Sequence, residues 1–406
     1  MSDGHKPTRR GLLLGGSAAV LGAAAGLGGF AVGRDRQPDT EAQPQKLPAT
    51  RVDFHGRHQA GIADATPTHA AFLAFDLSSV TTKGNLAAIM RAWTDLGRRL
   101  AVGDTSSDPS LISLGSEPAL FTMTVGIGGA ALDQLGIARP APLVDLPEFR
   151  GDRLDPDSSD GGIFLQLCSN DAIYLSGAVR AARGIASPLL DARWQMNGFR
   201  GVNAATSSTS GRNLMGQIDG TNNIAVSRAS AGGAVWVDQS GPKWMAGGSY
   251  VALRRFRMLL QKWEDVSQAT RDRAIGRYTR TGAPLGGHHE NDPVDLDARH
   301  PDGSLVVPAD AHIRLAAPRR DAGEAMLRRS YSYSSGQADS APGDEDAGLV
   351  FVSYQSDPRT SFIPVQRRLA EADALNSFTV ATAQAMFAIL PGIEDDDDWY
   401  GRKLLS

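Results

Sequence analysis

A chain of 406 residues is too long for one modest core, and two domains of ordinary size are the first expectation. The composition, 41% hydrophobic and 21% charged, is that of a globular protein, and 41 Lys and Arg nearly balance 45 Asp and Glu, so no basic footprint marks nucleic acid as a partner. The single cysteine, Cys168, excludes an internal disulfide framework, a Cys-rich zinc site and a cluster held by four thiolates, which leaves His, carboxylates, Arg or a bound cofactor for any chemistry.

Residues 1–33 read as a targeting segment. Lys6, Thr8, Arg9 and Arg10 form a basic head, and Gly11 to Gly33 carries no charge. A membrane span needs about 20 apolar residues, so a retained anchor is one reading. The run is rich in Gly and Ala, however, and Thr8-Arg9-Arg10-Gly11-Leu12-Leu13 resembles a twin-arginine signal, which implies the twin-arginine export machinery as a partner and an extracytoplasmic, periplasmic or secreted destination. Residues 34–50, with Pro38, Pro44 and Pro48, read as a flexible linker.

From His69 the pattern is folded. Ala70 to Leu77 suits a strand, and Asn85 to Leu100 places Leu86, Ile89, Met90, Trp93, Leu96 and Leu100 on one helical face. Phe121 to Ile127 alternates like a half-buried strand, Ile163 to Cys168 is a third strand, Ala172 to Arg183 a helix and Arg193 to Phe199 a fourth strand. The order β-α-β-β-α-β is that of a ferredoxin-like unit. The second half repeats the theme less clearly. Ala234 to Asp238, Ser249 to Phe256, Arg329 to Tyr333 and Leu349 to Tyr354 read as strands. Met258 to Val266 and Ala374 to Leu390 read as helices, the last through Leu375, Phe378, Ala381, Ala385 and Ile389. Residues 282–308, rich in Gly, Pro, Asp and His, form a long excursion of the kind that is frequently functional. The fold class expected is α+β, two ferredoxin-like domains with antiparallel sheets over 51–215 and 216–406.

Gly216-Gln217-Ile218-Asp219-Gly220-Thr221-Asn222-Asn223 sits near the junction. Taken alone it is a turn, since Gly accepts positive φ and Asx side chains bond their own backbone. Of the eight histidines, His288 and His289 with Glu290 and Asp292 offer N and O ligands for a divalent metal, although loop solvation is the better reading. His312 lies among Ala311, Ile313, Leu315 and Ala316 with Arg314 and Arg319 close by, and reads first as a core histidine. Arg328 and Arg329 enter a strand side by side, so one must point inward and needs an anion, either a structural carboxylate or a cofactor or reacting oxygen. The six tryptophans read as core and surface packing rather than as redox sites.

Together these segments resemble the dye-decolourising (DyP-type) haem peroxidases of the exported, deferrochelatase/peroxidase-like bacterial type. The family's Gly-x-x-Asp-Gly motif is matched by Gly216 to Gly220, and its His-Gln-Ala-Gly-Ile segment by His58, Gln59, Ala60, Gly61 and Ile62. Ile275-Gly276-Arg277, Thr281 to Gly286, His312 to Ala316 and Arg328 to Tyr331 are similar to family members in the same order. The resemblance implies one haem b, bound in the C-terminal domain near the junction, with His312 as proximal iron ligand, Asp219 as distal acid–base and Arg328 as distal arginine. It further implies that Gly220, Thr221, Asn222, Arg314 and Arg319 lie along the haem, and that Asp373 accepts the proximal imidazole N–H. Hydrogen peroxide and a one-electron reductant, dye-like or phenolic, would be the substrates. A haem- or iron-handling role with incidental peroxidase turnover uses the same residues, and the oligomeric state is left open.

Overall fold

A computed structural model describes residues 51–406 apart from 109, 202–210, 226–231, 320–322 and 338–344. Residues 1–33, expected to be a targeting segment, and 34–50, expected to be a linker, lie outside the described residues. Among those described, no helix is long and apolar enough to cross a membrane.

The first half contains β1 (His69–Leu77), α1 (Lys83–Ala101), β2 (Thr122–Ile127), α2 (Gly129–Gln134), β3 (Ile163–Ser169), α3 (Ala172–Ala186) and β4 (Leu190–Phe199). Helix α1 starts where Thr82 and Asn85 form a reciprocal capping box, and α3 where the Asp171 carboxylate accepts from Ile173 N and Tyr174 N. The strands pair antiparallel in the order β2-β3-β1-β4, as a ferredoxin-like unit requires.

The second half runs β5 (Ser249–Met258), α4 (Leu260–Glu264), α5 (Gln268–Ile275), α6 (His312–Leu315), β6 (Leu327–Arg328), β7 (Tyr331–Gln337), β8 (Glu345–Gln355), α7 (Phe362–Ala372), β9 (Thr379–Ile389) and α8 (Arg402–Leu405). Its order, β9-β5-β8 followed by β7 and β6, is the same unit again, with the second strand split in two. The class is α+β with antiparallel sheets, as the residue pattern implied.

The two sheets join edge to edge. Gly126 and Ile127 of β2 pair with Ile389 and Ala388 of β9, and Phe199 of β4 pairs with Ser332 of β7, so eight strands close into one barrel. In each seam the second strand of one half meets the fourth strand of the other. A glycine lies at both: a Cβ on Gly126 would come within 2.8 Å of Ile389 Cδ1, and one on Gly198 within 2.5 Å of Tyr331 Cβ. Alternation along β1 then sorts the core. Ala70, Phe72 and Ala74 face the barrel interior with Phe164, Phe387 and Tyr354, while Ala71, Leu73 and Phe75 face the helices with Trp93 and Tyr174.

Three expected elements differ. Ala374 to Leu390 is a short 3-10 turn followed by β9, not a helix, and the helix lies upstream at α7. Strand β9 is buried on both faces, so its nearly continuous small and apolar residues match a helical spacing by coincidence. Pro364 falls in the first turn of α7, where a missing N–H costs nothing. Ala234 to Asp238 buries Val235, Trp236 and Val237 through turns rather than a ladder. Met258 to Val266 holds a shorter helix than expected, Leu260–Glu264, with Met258 ending β5. Five of the six tryptophans are buried, consistent with packing.

Candidate haem and peroxide site

Residues 211–223 form the tight loop their glycines suggested. Arg212 and Ile218 make an antiparallel bridge, Asp219 N donates to Gly211 O, and the Asn213 carboxamide oxygen accepts from Met215 N and Gln217 N. Gly216 and Gly220 both have positive φ, 78° and 107°. Arg212 ties this loop to the next segment by donating to Gly216 O, Thr279 O and Arg280 O, and Gln217 Nε2 donates to Thr279 Oγ1 at 2.6 Å. The half-buried Asp219 carboxylate is thus presented by a loop whose backbone is already satisfied.

Asn223 couples that loop to β6. Its Oδ1 accepts from Arg328 N at 2.9 Å and its Nδ2 donates to Arg328 O at 2.7 Å, so one carboxamide fills both backbone valences of Arg328. The Arg328 guanidinium reaches back to Thr221 O at 2.9 Å, and Thr221 Oγ1 donates to Glu290 at 2.8 Å. The neighbouring Arg329 goes the other way. Buried to 3% exposure, it donates to Ile62 O, Asp64 O, Ala65 O and Thr66 Oγ1. Alternation therefore separates the two arginines: one meets structural carbonyls, and the other faces the loop of Asp219. Neither of the partners foreseen for the inward arginine is what it finds, since backbone carbonyls serve in place of a carboxylate.

His312 opens α6, and its Nδ1 lies 2.6 Å from Asp373 Oδ2. A carboxylate can only accept, so Nδ1 carries a proton, and in the neutral ring Nε2 keeps its lone pair. Asp373 stands between α7 and the 3-10 turn 374–377, which it caps by accepting Leu375 N with Oδ1, while Ala374 N donates to Asp310 O just before α6. The Asp373 side chain is 4% exposed and the His312 ring 34%, so the imidazole edge away from the aspartate is the open one. Burial pulls the His312 pKa down, but the charge of Asp373 and its hydrogen bond outweigh that and raise it; Arg328 opposes the rise and Asp219 favours it. His312, Arg328 and Asp219 therefore share one electrostatic neighbourhood.

The other residues of interest have the following partners in the structure. Arg314 spends Nε and Nη2 on Leu296 O, Val307 O and Pro308 O, which staples the 282–308 excursion beneath α6. Arg319 is exposed, and its backbone N donates to Glu324, itself ion-paired with Arg368. Asn222 is exposed with φ 59°. Gln59 is a seam staple: its carboxamide bonds Val125 N and O on β2 and Leu390 O just past β9. His288 N and His289 N both donate to Asp292 Oδ2, a turn cap, and no group of three or more His, Cys, Asp or Glu among the described residues is arranged to hold a metal ion. Asn223 and Arg212 are site residues that sequence reasoning misses, because an Asn after a glycine turn and a lone Arg carry no local signature.

The donor set fits a haem. A single imidazole with a buried carboxylate behind it leaves one nitrogen for iron, and a carboxylate and an arginine stand in its field. Comparison with known proteins agrees. Residues 59–200 match the model "Dyp-type peroxidase, N-terminal" and residues 210–394 "Dyp-type peroxidase, C-terminal". The chain is 40% identical over 407 residues to a dye-decolorizing peroxidase of Thermobifida fusca (strain YX), covering 94% of each. It is 35% identical over 427 residues to a deferrochelatase of Escherichia coli (strain K12), covering 99% of this chain and 97% of that one. Ferric DtpA from Streptomyces lividans superposes with a TM-score of 0.83 at 38% identity, over 88% of this chain and 97% of that structure. With two family models spanning most of its length and its site geometry in accord with them, this chain belongs to the Dyp-type peroxidase family.

Proposed function

We infer that the chain is a haem-dependent peroxidase that reduces hydrogen peroxide and oxidises one-electron donors such as dyes and phenols. The observation that carries this reading is the His312–Asp373 pair sharing its field with Asp219 and Arg328. When bound, haem b supplies a redox-active iron at which peroxide can be cleaved. His312 would hold that iron through Nε2, and Asp373 would keep the ring in the required tautomer and make it a stronger donor. Asp219 is the group to accept a proton from one peroxide oxygen and return it to the other, so that water leaves. Arg328 stabilises negative charge developing on the departing oxygen, with its guanidinium anchored through Thr221 O. Backbone at Gly220 and Thr221 would approach the cofactor, and Arg319 is the arginine left for a propionate.

Absorption spectra of purified protein before and after one equivalent of peroxide test cofactor and chemistry together. His312→Ala should lose the Soret band of an imidazole-ligated haem; an unchanged spectrum would sink the ligand assignment. Asp219→Ala should keep the band and slow the reaction with peroxide by about 10²–10⁴-fold in stopped flow. We also propose that residues 1–33 direct twin-arginine export, on the strength of Thr8-Arg9-Arg10-Gly11-Leu12-Leu13.

A further inference from the structure

The excursion 282–308 sends one carboxylate to the loop of Asp219. His288 and His289 turn their backbone N–H groups to Asp292, while Glu290 Oε1 accepts from Thr221 Oγ1 at 2.8 Å. Two features hold Glu290 in place for this. Arg277, just after α5 and 8% exposed, donates Nη1 to Gly282 O at 2.7 Å and to Glu290 O at 2.8 Å, which fixes the Glu290 backbone. Gly282, with φ 73°, opens room for the side chain: a Cβ there would come within 3.1 Å of Glu290 Cγ and 2.7 Å of Ile218 Cδ1. The glutamate stem and the residue that precedes Asp219 thus share the space over one glycine.

Thr221 needs a hold from outside its own segment. It stands between Gly220 and Asn222, whose φ values are 107° and 59°, so neither a helix nor a ladder orients its peptide. Its carbonyl is nevertheless the acceptor for Arg328 Nη2 at 2.9 Å. A β-branched side chain is stiff at χ1, so fixing the hydroxyl on Glu290 also orients the backbone of Thr221. Asn223 already holds the Arg328 backbone, and Thr221 O is the partner that places its guanidinium. The charges agree with this arrangement. Burial lowers the Arg277 pKa, the charge of Glu290 opposes that, and Arg328 adds to it, so two guanidinium groups and one carboxylate share this corner of the site.

We propose, resting on the peroxidase reading above, that Glu290 is a positioning residue for the distal arginine: it holds Thr221, and Thr221 holds the Arg328 guanidinium where it acts on peroxide. Glu290 touches neither substrate nor cofactor in this role. It works through the hydrogen bond that it accepts.

Fluoride binding to the ferric, haem-loaded full chain, followed by visible absorption, reads the arginine without turnover, because a distal guanidinium stabilises an anion bound on its side. Arg328→Leu should weaken fluoride binding. Glu290→Ala and Thr221→Val should each weaken it about tenfold, the loss expected when a charged hydrogen-bonding group is misplaced. Removing a negative charge would by itself favour an anion, so weaker binding by Glu290→Ala has the opposite sign to a simple charge effect. Glu290→Gln keeps an acceptor oxygen and should bind fluoride at least as tightly as the unaltered protein. Added to Arg328→Leu, Glu290→Ala should cause no further loss, since nothing is left to position. The Soret band and thermal midpoint check that each variant is loaded and folded, and the nearly isosteric Thr221→Val carries the test if Glu290→Ala loses haem. With Arg328→Leu weakened, unchanged affinity in Glu290→Ala and Thr221→Val would overturn this proposal alone, as would a Glu290→Gln no tighter than Glu290→Ala or a further loss in the double variant. Fluoride binding indifferent to Arg328→Leu would remove the distal-arginine role itself, and the proposal with it. Absence of peroxide turnover in a chain that met every fluoride expectation would sink the peroxidase reading and leave Glu290 in its place.

Discussion

At the scale of single residues, the site depends on side chains that have been relieved of competing work. Asp373 divides its two oxygens between a backbone cap and His312, so its carboxylate cannot rotate away from the imidazole without losing the turn 374–377. Asp373→Asn preserves shape but removes the charge, and should lower peroxidase activity by about 10–100-fold while haem remains bound, as read from steady-state rates normalised to the Soret band. Activity equal to that of the unaltered protein would show that the charge is not needed. Asp373 and His312 are 61 positions apart, and only the resemblance suggested the pair; an Asp before Ala-Leu has no local mark. Arg328 and Arg329 show the same limit in reverse. Alternation announces that they part, but which goes where depends on carbonyls of residues 62–66, far away in sequence.

Elements repeat this lesson at a larger grain. The helices of the first half were legible from a one-sided stripe, as in α1 with its capping box and its run from Leu86 to Leu100, and the strands from short apolar runs bounded by turns, although β1, β2 and β3 are buried on both faces. Strand β9, also buried on both faces, was not, because its alanine-rich run gives apolar residues at helical as well as strand spacing. Its alanines are small for a reason: Ala383 and Ala385 point into an interior already filled by Phe387, Phe164 and Phe72. Ala383→Leu should therefore destabilise the fold by about 1–3 kcal/mol through overpacking, seen as a lower midpoint in chemical denaturation. A helix at this position would have tolerated the change.

For the molecule as a whole, closure of the barrel is what brings the halves into one structure. Each seam is short, two residue pairs in one and a single pair in the other, and a glycine allows each close approach. Gln59 reinforces the first seam with three hydrogen bonds. Gly198→Val should part β4 from β7, speed amide exchange at Phe199 and Ser332, and weaken haem retention, because β7 continues from the β6 segment that carries Arg328. Exchange rates and haem content left unaltered by this substitution would show that the seam is not needed to hold the site.

The sequence by itself determined the class of the fold, the β-α-β-β-α-β order of the first half and the exclusion of thiolate chemistry, because each of these is a property of local composition, period or spacing, and its run of motifs pointed to a haem peroxidase by resemblance. Only the tertiary structure decided that the two sheets close into a barrel, that β9 is a strand, that Arg314 serves the loop beneath α6, and that Asn223 locks Arg328 to the loop of Asp219. Those outcomes turn on which backbone groups and faces meet across long separations, and burial on both faces erases the periodicity from which they could have been read.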